Sequence, residues 1–462
     1  MNKIHITTLG CPKNSVDSRH LAGAFTAEGF ISADNADDAD ILLVNTCGFI
    51  KDAKEESIEE VLRLAQMKED GRKLVVFGCL AARYRNELLK EIPEIDGIWG
   101  VGEEAAIIEY CKKQRSGVIG HRSEKDAGSS SITYNPSPIT TMSYAYLKIA
   151  EGCDKKCTFC VIPSIRGAFR SVRPELIMAE AGEYIKGGVR ELILVAQDIT
   201  NYGKDLDGYD LVALLRDLAS LPGDFHIRLL YLYPTAISEA LIEYIAAEDK
   251  IHKYLDIPLQ HSEDKILRLM GRRGTRTEYL KLIRTLRRRI PGIALRTTFI
   301  VGFPAETEEE FNGLVDFIEE IRFERLGAFM FSKEEGTPSA AYKGHVPDKV
   351  KHRRFEEIMK RQALISLEIN RDIVGRRFRA IVDEAAEDVT LVRLYSHAPE
   401  IDGMVIIERE EGEDKDTGKR RRGCVETQGR GDELKVGDMV TVEITGAYDY
   451  DLKGKLIMGC GM

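Results

Sequence analysis

Three thiols stand within the ten residues "EGCDKKCTFC", at Cys153, Cys157 and Cys160. Thiols grouped so closely pair as disulfides, hold a structural zinc ion, or hold a reactive metal centre. A disulfide framework calls for an even number of cysteines in a secreted chain. A structural zinc site calls for a fourth Cys or His nearby. The next residues, "VIPSIRGAFR", offer neither, and the nearest later histidine is His226. Three ligands leave a metal centre with an open position, which is the arrangement of a reactive site.

A second set is scattered. Cys11 follows the first predicted strand, Cys47 ends the second and Cys79 ends the third, in "LGCPKN", "VNTCGF" and "VFGCLAARY". In an open α/β sheet, ligands bind beyond the carboxyl ends of the strands. The three thiols therefore converge on one edge although 36 and 32 residues separate them in sequence. One strand-end cysteine is ordinary core; three at equivalent positions predict a second three-cysteine metal site. Cys111, Cys424 and Cys460 have no ligand-like spacing and read as structural.

The elements that must position these thiols fall into three blocks. Residues 1–122 alternate strands ("KIHITTLG", "DILLVNTC", "KLVVFGC") with amphipathic helices, which predicts an open α/β sheet. Residues 123–143 lack hydrophobic periodicity, are rich in Ser, Thr, Pro and Gly, and read as a linker. Residues 144–370 carry six strand candidates, from "YAYLKIA" to "RLGAFMF", separated by helical segments. Six β/α units are fewer than the eight of a complete barrel, so a partial (β/α)6 barrel is expected. Its functional face lies at the strand carboxyl ends, where the Cys153 loop falls. Residues 371–462 hold short strands, ending in "KLIMGCG", with turn-rich joints that predict a small β-barrel.

Composition excludes several classes. With 43% apolar and 31% charged residues, the 462-residue chain reads as soluble and globular, with two to four domains. No run approaches a membrane span, and "MNKIHITTLG" has no signal-peptide pattern. Nine cysteines without such a signal place the chain in a reducing compartment, the cytoplasm. A net charge of −10 argues against a dominant polyanion-binding surface.

CxxxCxxC after the first strand of a partial β/α barrel, with the aromatic Phe159 before its last cysteine, resembles the radical S-adenosylmethionine (SAM) superfamily. The resemblance implies that Cys153, Cys157 and Cys160 hold a 4Fe–4S cluster whose free iron binds SAM. An electron from a low-potential cluster would cleave SAM to a deoxyadenosyl radical that takes hydrogen from a C–H bond. The whole chain then resembles the methylthiotransferases. These have an N-terminal domain with three cluster-binding cysteines, matched here by Cys11, Cys47 and Cys79, and a C-terminal TRAM domain. That family replaces C–H by C–S–CH₃, with two 4Fe–4S clusters and SAM as both radical source and methyl donor. By position in the barrel, Gln197, Asp198, Gln260 and Arg296, with Thr298, resemble residues around SAM. The usual GGE letters are absent there, and no catalytic side chain is assigned.

"LGCPKN" and "EGCDKKCTFCVIPSIRG" resemble the branch that modifies the β-carbon of an aspartate in small-subunit ribosomal protein twelve, free or in the ribosome. The tRNA-modifying branch more often reads GCQMN and PYxRG. Residues 371–462 carry 15 Lys plus Arg against 20 Asp plus Glu, which suits a basic protein substrate and disfavours tRNA. The basic run 419–422, "KRRR", is a counterweight, read as a solvated turn. A low-potential electron donor is an implied partner, and no membrane is. Two alternatives stand beside this reading: a methylthiotransferase for a tRNA adenosine, and a non-catalytic iron–sulfur binding module of the translation apparatus. His261 reads as structural, "KGGVRE" as a helix end, and "GFPAET" as a turn into a helix.

Overall fold

The structure, a computed structural model, describes residues 2–68, 71–115, 142–408 and 434–457. Most of the expected linker and the basic run 419–422 lie outside the described residues, as do Cys424 and Cys460.

The first domain is a parallel sheet in which β1 (Lys3–Thr8) lies between β2 (Ile31–Ser32) and β3 (Ile41–Thr46). β4 (Lys73–Gly78) and β5 (Gly97–Trp99) continue it. β3 is buried along its whole length, as a central parallel strand covered on both faces must be. Helices α1 (Pro12–Ala27), α2 (Lys51–Gln66), α3 (Cys79–Glu91) and α4 (Glu104–Arg115) complete the domain. The sheet has five strands where sequence showed three. β2 and β5 are two and three residues long, too short to display a period. Cys111, on α4, is fully buried in the apolar core, as expected.

The second domain is a six-stranded parallel sheet: β6 (Tyr144–Lys148), β9 (Glu191–Val195), β10 (His226–Leu229), β11 (Ile251–Asp256), β12 (Ala294–Val301) and β13 (Arg325–Met330), in that spatial order. A two-stranded ribbon, β7 (Ala150–Glu151) with β8 (Arg170–Ser171), follows β6. The helices are α5 (Ile162–Arg166), α6 (Pro174–Lys186), α7 (Leu211–Ser220), α8 (Glu239–Ala247), α9 (Asp264–Leu269), α10 (Arg276–Arg289) and α11 (Glu308–Ile321). α6 ends at Gly187, and α11 opens with a capping box on Thr307 and Glu310, as "KGGVRE" and "GFPAET" predict. A long helix, α12 (Asp348–Arg371), was not expected. Its buried seam mixes Ile358 and Ile365 with Gln362, Ser366 and Asn370, which breaks the apolar period. Two of their amide nitrogens have partners: Gln362 Nε2 donates to Phe323 O at 2.8 Å and Asn370 Nδ2 to Tyr448 O at 3.0 Å.

The third domain is a closed barrel of β14 (Arg377–Ala385), β15 (Val389–Leu394), β16 (Val405–Glu408), β17 (Met439–Ala447) and β18 (Leu452–Leu456). β18 begins three residues before the expected "KLIMGCG". Its inward positions are Leu452 and Gly454, and the glycine hides the alternation because a Cβ there would stand 2.7 Å from Val405. Residues 458–462 lie outside the described residues.

The domains close the open barrel from two directions. At the strand amino ends, Ala398 packs into the lumen with Tyr146, Ile193 and Tyr254. There Tyr254 Oη donates to Asp402 at 2.7 Å, and buried Glu191 pairs with Arg228 and with Arg393 of the third domain. At the sides, α1 lies along β6, where Arg19 donates to Tyr146 O at 3.4 Å and His20 meets Glu180 at 2.9 Å. Beyond the opposite edge strand, β13, Glu334 accepts from Lys54 at 2.8 Å and Arg83 at 3.0 Å. The first domain thus grips both open edges. Among the described residues no helix is long and apolar enough to cross a membrane.

Candidate cluster and cofactor site

The register of the first sheet brings its thiols together. Thr8 pairs with Asn45, and Thr46 with Gly78, so the three strands end side by side. Cys11 then serves as the N-cap of α1, with Pro12 at the first helical position, and Cys79 opens α3. Two helix amino ends, where unpaired N–H groups favour negative charge, therefore carry two of the three thiols. Gly10 has φ +94°, and a Cβ on it would stand 2.7 Å from Cys47 Cβ and 3.0 Å from its sulfur. Only glycine lets the Cys11 turn come this near Cys47. Asn14 Oδ1 lies 4.0 Å from both Cys11 Sγ and Cys79 Sγ. Burial pushes the Cys79 thiol up to about 11, against a downward pull from Arg166. Cys47 is raised for the same first reason.

The barrel triad is held by local turns. Cys153 N donates to Gly167 O at 3.1 Å and Cys160 N to Cys157 O at 3.2 Å. Thr158 fastens the loop to the end of α9, donating from N to Met270 O at 2.9 Å and from Oγ1 to Leu269 O at 2.8 Å. Phe159 anchors it in an apolar cluster with Met270, Phe303 and Phe331, its ring 6.3 Å from that of Phe303. Burial pushes Cys160 up to about 12 and raises Cys153. Arg272 lies beside Cys157, over the Tyr233 ring at 4.3 Å, and donates to Pro258 O at 2.5 Å.

The segments that carry the two triads abut. Cys79 packs directly with Val161, the residue after Cys160, and with Ile165. Between them runs a buried polar chain drawn from both domains. Arg166 donates to Asn14 Oδ1 at 2.6 Å, to both Glu151 oxygens at 3.0 Å and to Asp17 at 3.2 Å. Lys148 pairs with Asp17 and with Glu151, the latter at 2.9 Å. Burial opposes the Glu151 charge, but Lys148 and Arg166 hold its carboxyl far below the usual range. Sequence reading assigned none of these residues, although "LGCPKN" contains Asn14, "PSIRG" contains Arg166, and Glu151 stands two before Cys153.

The remaining predicted residues occupy different places. Gln197 Nε2 donates to Glu151 at 2.8 Å, while its buried Oε1 makes no hydrogen bond among the described residues. Asp198 accepts from Thr200 N at 3.0 Å and Asn201 Nδ2 at 2.8 Å, and meets Lys155 at 3.5 Å. Gln260 has φ +73° and bridges to β12, its N donating to Thr298 O at 2.8 Å. Arg296 stands between Asp256 and Asp402, at 3.4 Å from each, near the third domain. His261 is fully buried, and its Nδ1 accepts from Glu263 N at 3.0 Å, a structural contact as expected.

All six thiols are free, and among the described residues no three His, Cys, Asp or Glu side chains converge closely enough to hold a single metal ion. Iron–sulfur clusters are held by cysteine thiolates, the donor set that each triad offers. The unpartnered Oε1 of Gln197, whose Nε2 donates to Glu151, is an acceptor for a ligand N–H or O–H.

Comparison with known proteins agrees with this geometry. Residues 3–100 match the "uncharacterized protein family UPF0004" profile, residues 147–318 the radical SAM superfamily and residues 374–457 the TRAM domain. The chain is 53% identical over 459 residues to the ribosomal protein uS12 methylthiotransferase RimO of Thermodesulfovibrio yellowstonii, covering 99% of this chain and 100% of that one. It is 44% identical to the RimO of Geobacter sulfurreducens, with 98% of each chain covered. Among solved structures, the fold resembles the radical SAM methyltransferase TsrM of Kitasatospora setae (TM-score 0.53, 14% identity, 85% of this chain and 78% of that one). It also resembles the cobalamin-dependent radical SAM enzyme OxsB (TM-score 0.51, 11% identity, 77% and 56%). The chain belongs to the RimO family of radical SAM methylthiotransferases.

Proposed function

We propose that the protein adds a methylthio group to the β-carbon of an aspartate in ribosomal protein uS12, using two 4Fe–4S clusters and SAM. Cys153, Cys157 and Cys160 hold one cluster, and Cys11, Cys47 and Cys79 the other. When bound, these groups supply the electron, the deoxyadenosyl radical, the sulfur and the methyl group. The chain's own residues set the stage. Arg166 and Asn14 fix the first-domain thiols relative to the barrel, and Lys148 with Arg166 keeps Glu151 charged behind Cys153. Gln197, oriented by Glu151, offers Oε1 to a ligand, and Phe159 holds the loop against its apolar seat. Asp198, Gln260 and Arg296 remain second-rank candidates for SAM contact. Three units, 1–122, 144–370 and 371–462, divide the work into sulfur site, radical site and substrate docking. A low-potential electron donor is required.

The observation that supports this reading is the apolar cluster that Cys79 shares with Val161, the residue after Cys160, which brings the first-domain triad up to the loop that carries the other. The test is to load the enzyme anaerobically with iron and sulfide, then supply either uS12 or tRNA carrying isopentenyladenosine. Methylthio-aspartate in uS12, with tRNA at background, is the expected result. Methylthio-adenosine with uS12 untouched would move the protein to the tRNA substrate.

A further inference from the structure

Three cations gather behind Cys11: Lys13, Lys148 and Arg166. Two are neutralised in place, since Lys148 and Arg166 share Asp17 and Glu151. Lys13 is different. It is 8% exposed, in the first turn of α1, and no carboxylate lies within ion-pair distance of it among the described residues. What its ammonium meets is the face of Tyr231, with Nζ 3.9 Å from the ring centroid. Burial opposes its charge, and the groups that stabilise it are chiefly the Cys11 thiol and Tyr231, with no carboxylate in contact. A ring face supplies only part of that stabilisation.

Tyr231 is itself unusual. It follows β10 at the carboxyl end of the barrel, on the functional face, and adopts φ +64°, a left-handed conformation that bulky side chains rarely hold. The backbone is fixed there from both sides. Tyr231 N donates to Asp256 at 3.1 Å and Tyr231 O accepts from Ile199 N at 3.3 Å. Strain retained by such bonds marks positions where a side chain must point one way. Here it lifts the ring under an ammonium from the other domain, two residues after a cluster thiol.

We propose that Lys13, presented on Tyr231, binds the side-chain carboxylate of the substrate aspartate and is the residue that selects an acidic target. This inference rests on the proposed function and deepens it. The aspartate carboxylate would give Lys13 the ion pair that Lys148 and Arg166 already have. A neutral substrate would leave the ammonium without its anion, so the same charge discriminates against it.

The test measures binding of a uS12 loop peptide and its Asp→Asn twin to the full-length, cluster-loaded enzyme by fluorescence anisotropy. Iron content is determined on each sample. Wild type should prefer the aspartate peptide by about 10- to 100-fold, as expected for one charge-assisted hydrogen bond. Lys13→Met should lose that preference and keep the wild-type iron content, and Lys13→Arg should retain the preference. If Lys13→Met still discriminates, or loses half of its iron, Lys13 serves the fold or the cluster and the inference is wrong. A wild type that binds neither peptide, yet modifies tRNA, would overturn the proposed function itself.

Discussion

The two thiol triads solve one problem in opposite ways. Cys153, Cys157 and Cys160 come from a single loop whose shape is set by near-neighbour bonds and by Thr158 docking on the end of α9. Cys11, Cys47 and Cys79 come from three strands and meet only because the sheet register ends those strands together. The first site is encoded locally, the second by topology. A local site tolerates change elsewhere in its domain. A topological site depends on every contact that fixes the strand ends, including those made by the neighbouring domain. Each triad has one arginine beside it, but their settings differ. Arg166 is embedded in Asn14, Asp17 and Glu151, whereas Arg272 rests on an aromatic face and a carbonyl.

The largest effects come from removing a triad outright. Changing Cys153, Cys157 and Cys160 to Ala should abolish SAM cleavage to deoxyadenosine and leave about four irons per chain. Changing Cys11, Cys47 and Cys79 to Ala should also leave about four irons, with SAM cleavage retained. Equal SAM cleavage in both triple variants would erase the distinction between the sites.

Arg166→Ala tests the dependence of the topological site on its neighbour. It strands Asp17 and Glu151 with Lys148 alone, in a place where the Arg166 side chain is 1% exposed. Breaking such a buried network costs about 3–5 kcal/mol, measurable by denaturant unfolding. Iron should be lost from the first-domain site before the barrel site, as two resolved EPR signals would report. Loss from both sites in parallel would mean that the triads are equally local.

Gly10→Ala is a smaller perturbation on the same side. It forces a φ of +94° on a residue with a Cβ and pushes that Cβ into Cys47. The strain is about 1–3 kcal/mol, and first-domain iron should fall while barrel iron holds.

The smallest effect is on thiol reactivity without metal. Burial raises Cys79 to about 11 and Cys160 to about 12, so at pH 8 both are protonated and poorly nucleophilic. Alkylation should run at least ~100-fold slower at Cys79 and ~1000-fold slower at Cys160 than at an unfolded cysteine, and rise with pH. The sign for stability follows: thiols raised in the fold stabilise the metal-free protein below about pH 8.5. That contribution is lost as pH climbs towards 11 and 12. Rapid alkylation of Cys79 or Cys160 at pH 8 would contradict the burial.

The same contrast decides what could be read from sequence. The spacing of Cys153, Cys157 and Cys160 was visible as letters, and the strand-end placement of Cys11, Cys47 and Cys79 followed from simple alternation of elements. The six barrel strands and their main helices were legible because buried parallel strands are continuous apolar runs. α12 was not, because Gln362, Ser366 and Asn370 sit in its buried seam. β18 was hidden by Gly454, where a neighbour's side chain occupies the inward position. The chain of Asn14, Asp17, Lys148, Glu151 and Arg166 could not be seen either. Its members lie up to 152 residues apart and acquire meaning only when two domains meet.

The most direct test of two sites acting on one carbon is tandem mass spectrometry of a uS12 loop peptide after a single turnover. Three samples are compared: cluster-loaded wild type and the two triple variants. Methylthio-aspartate should form with wild type alone. The first-domain variant should instead yield deoxyadenosine without any new C–S bond. Methylthio-aspartate formed by the variant lacking Cys11, Cys47 and Cys79 would contradict the account.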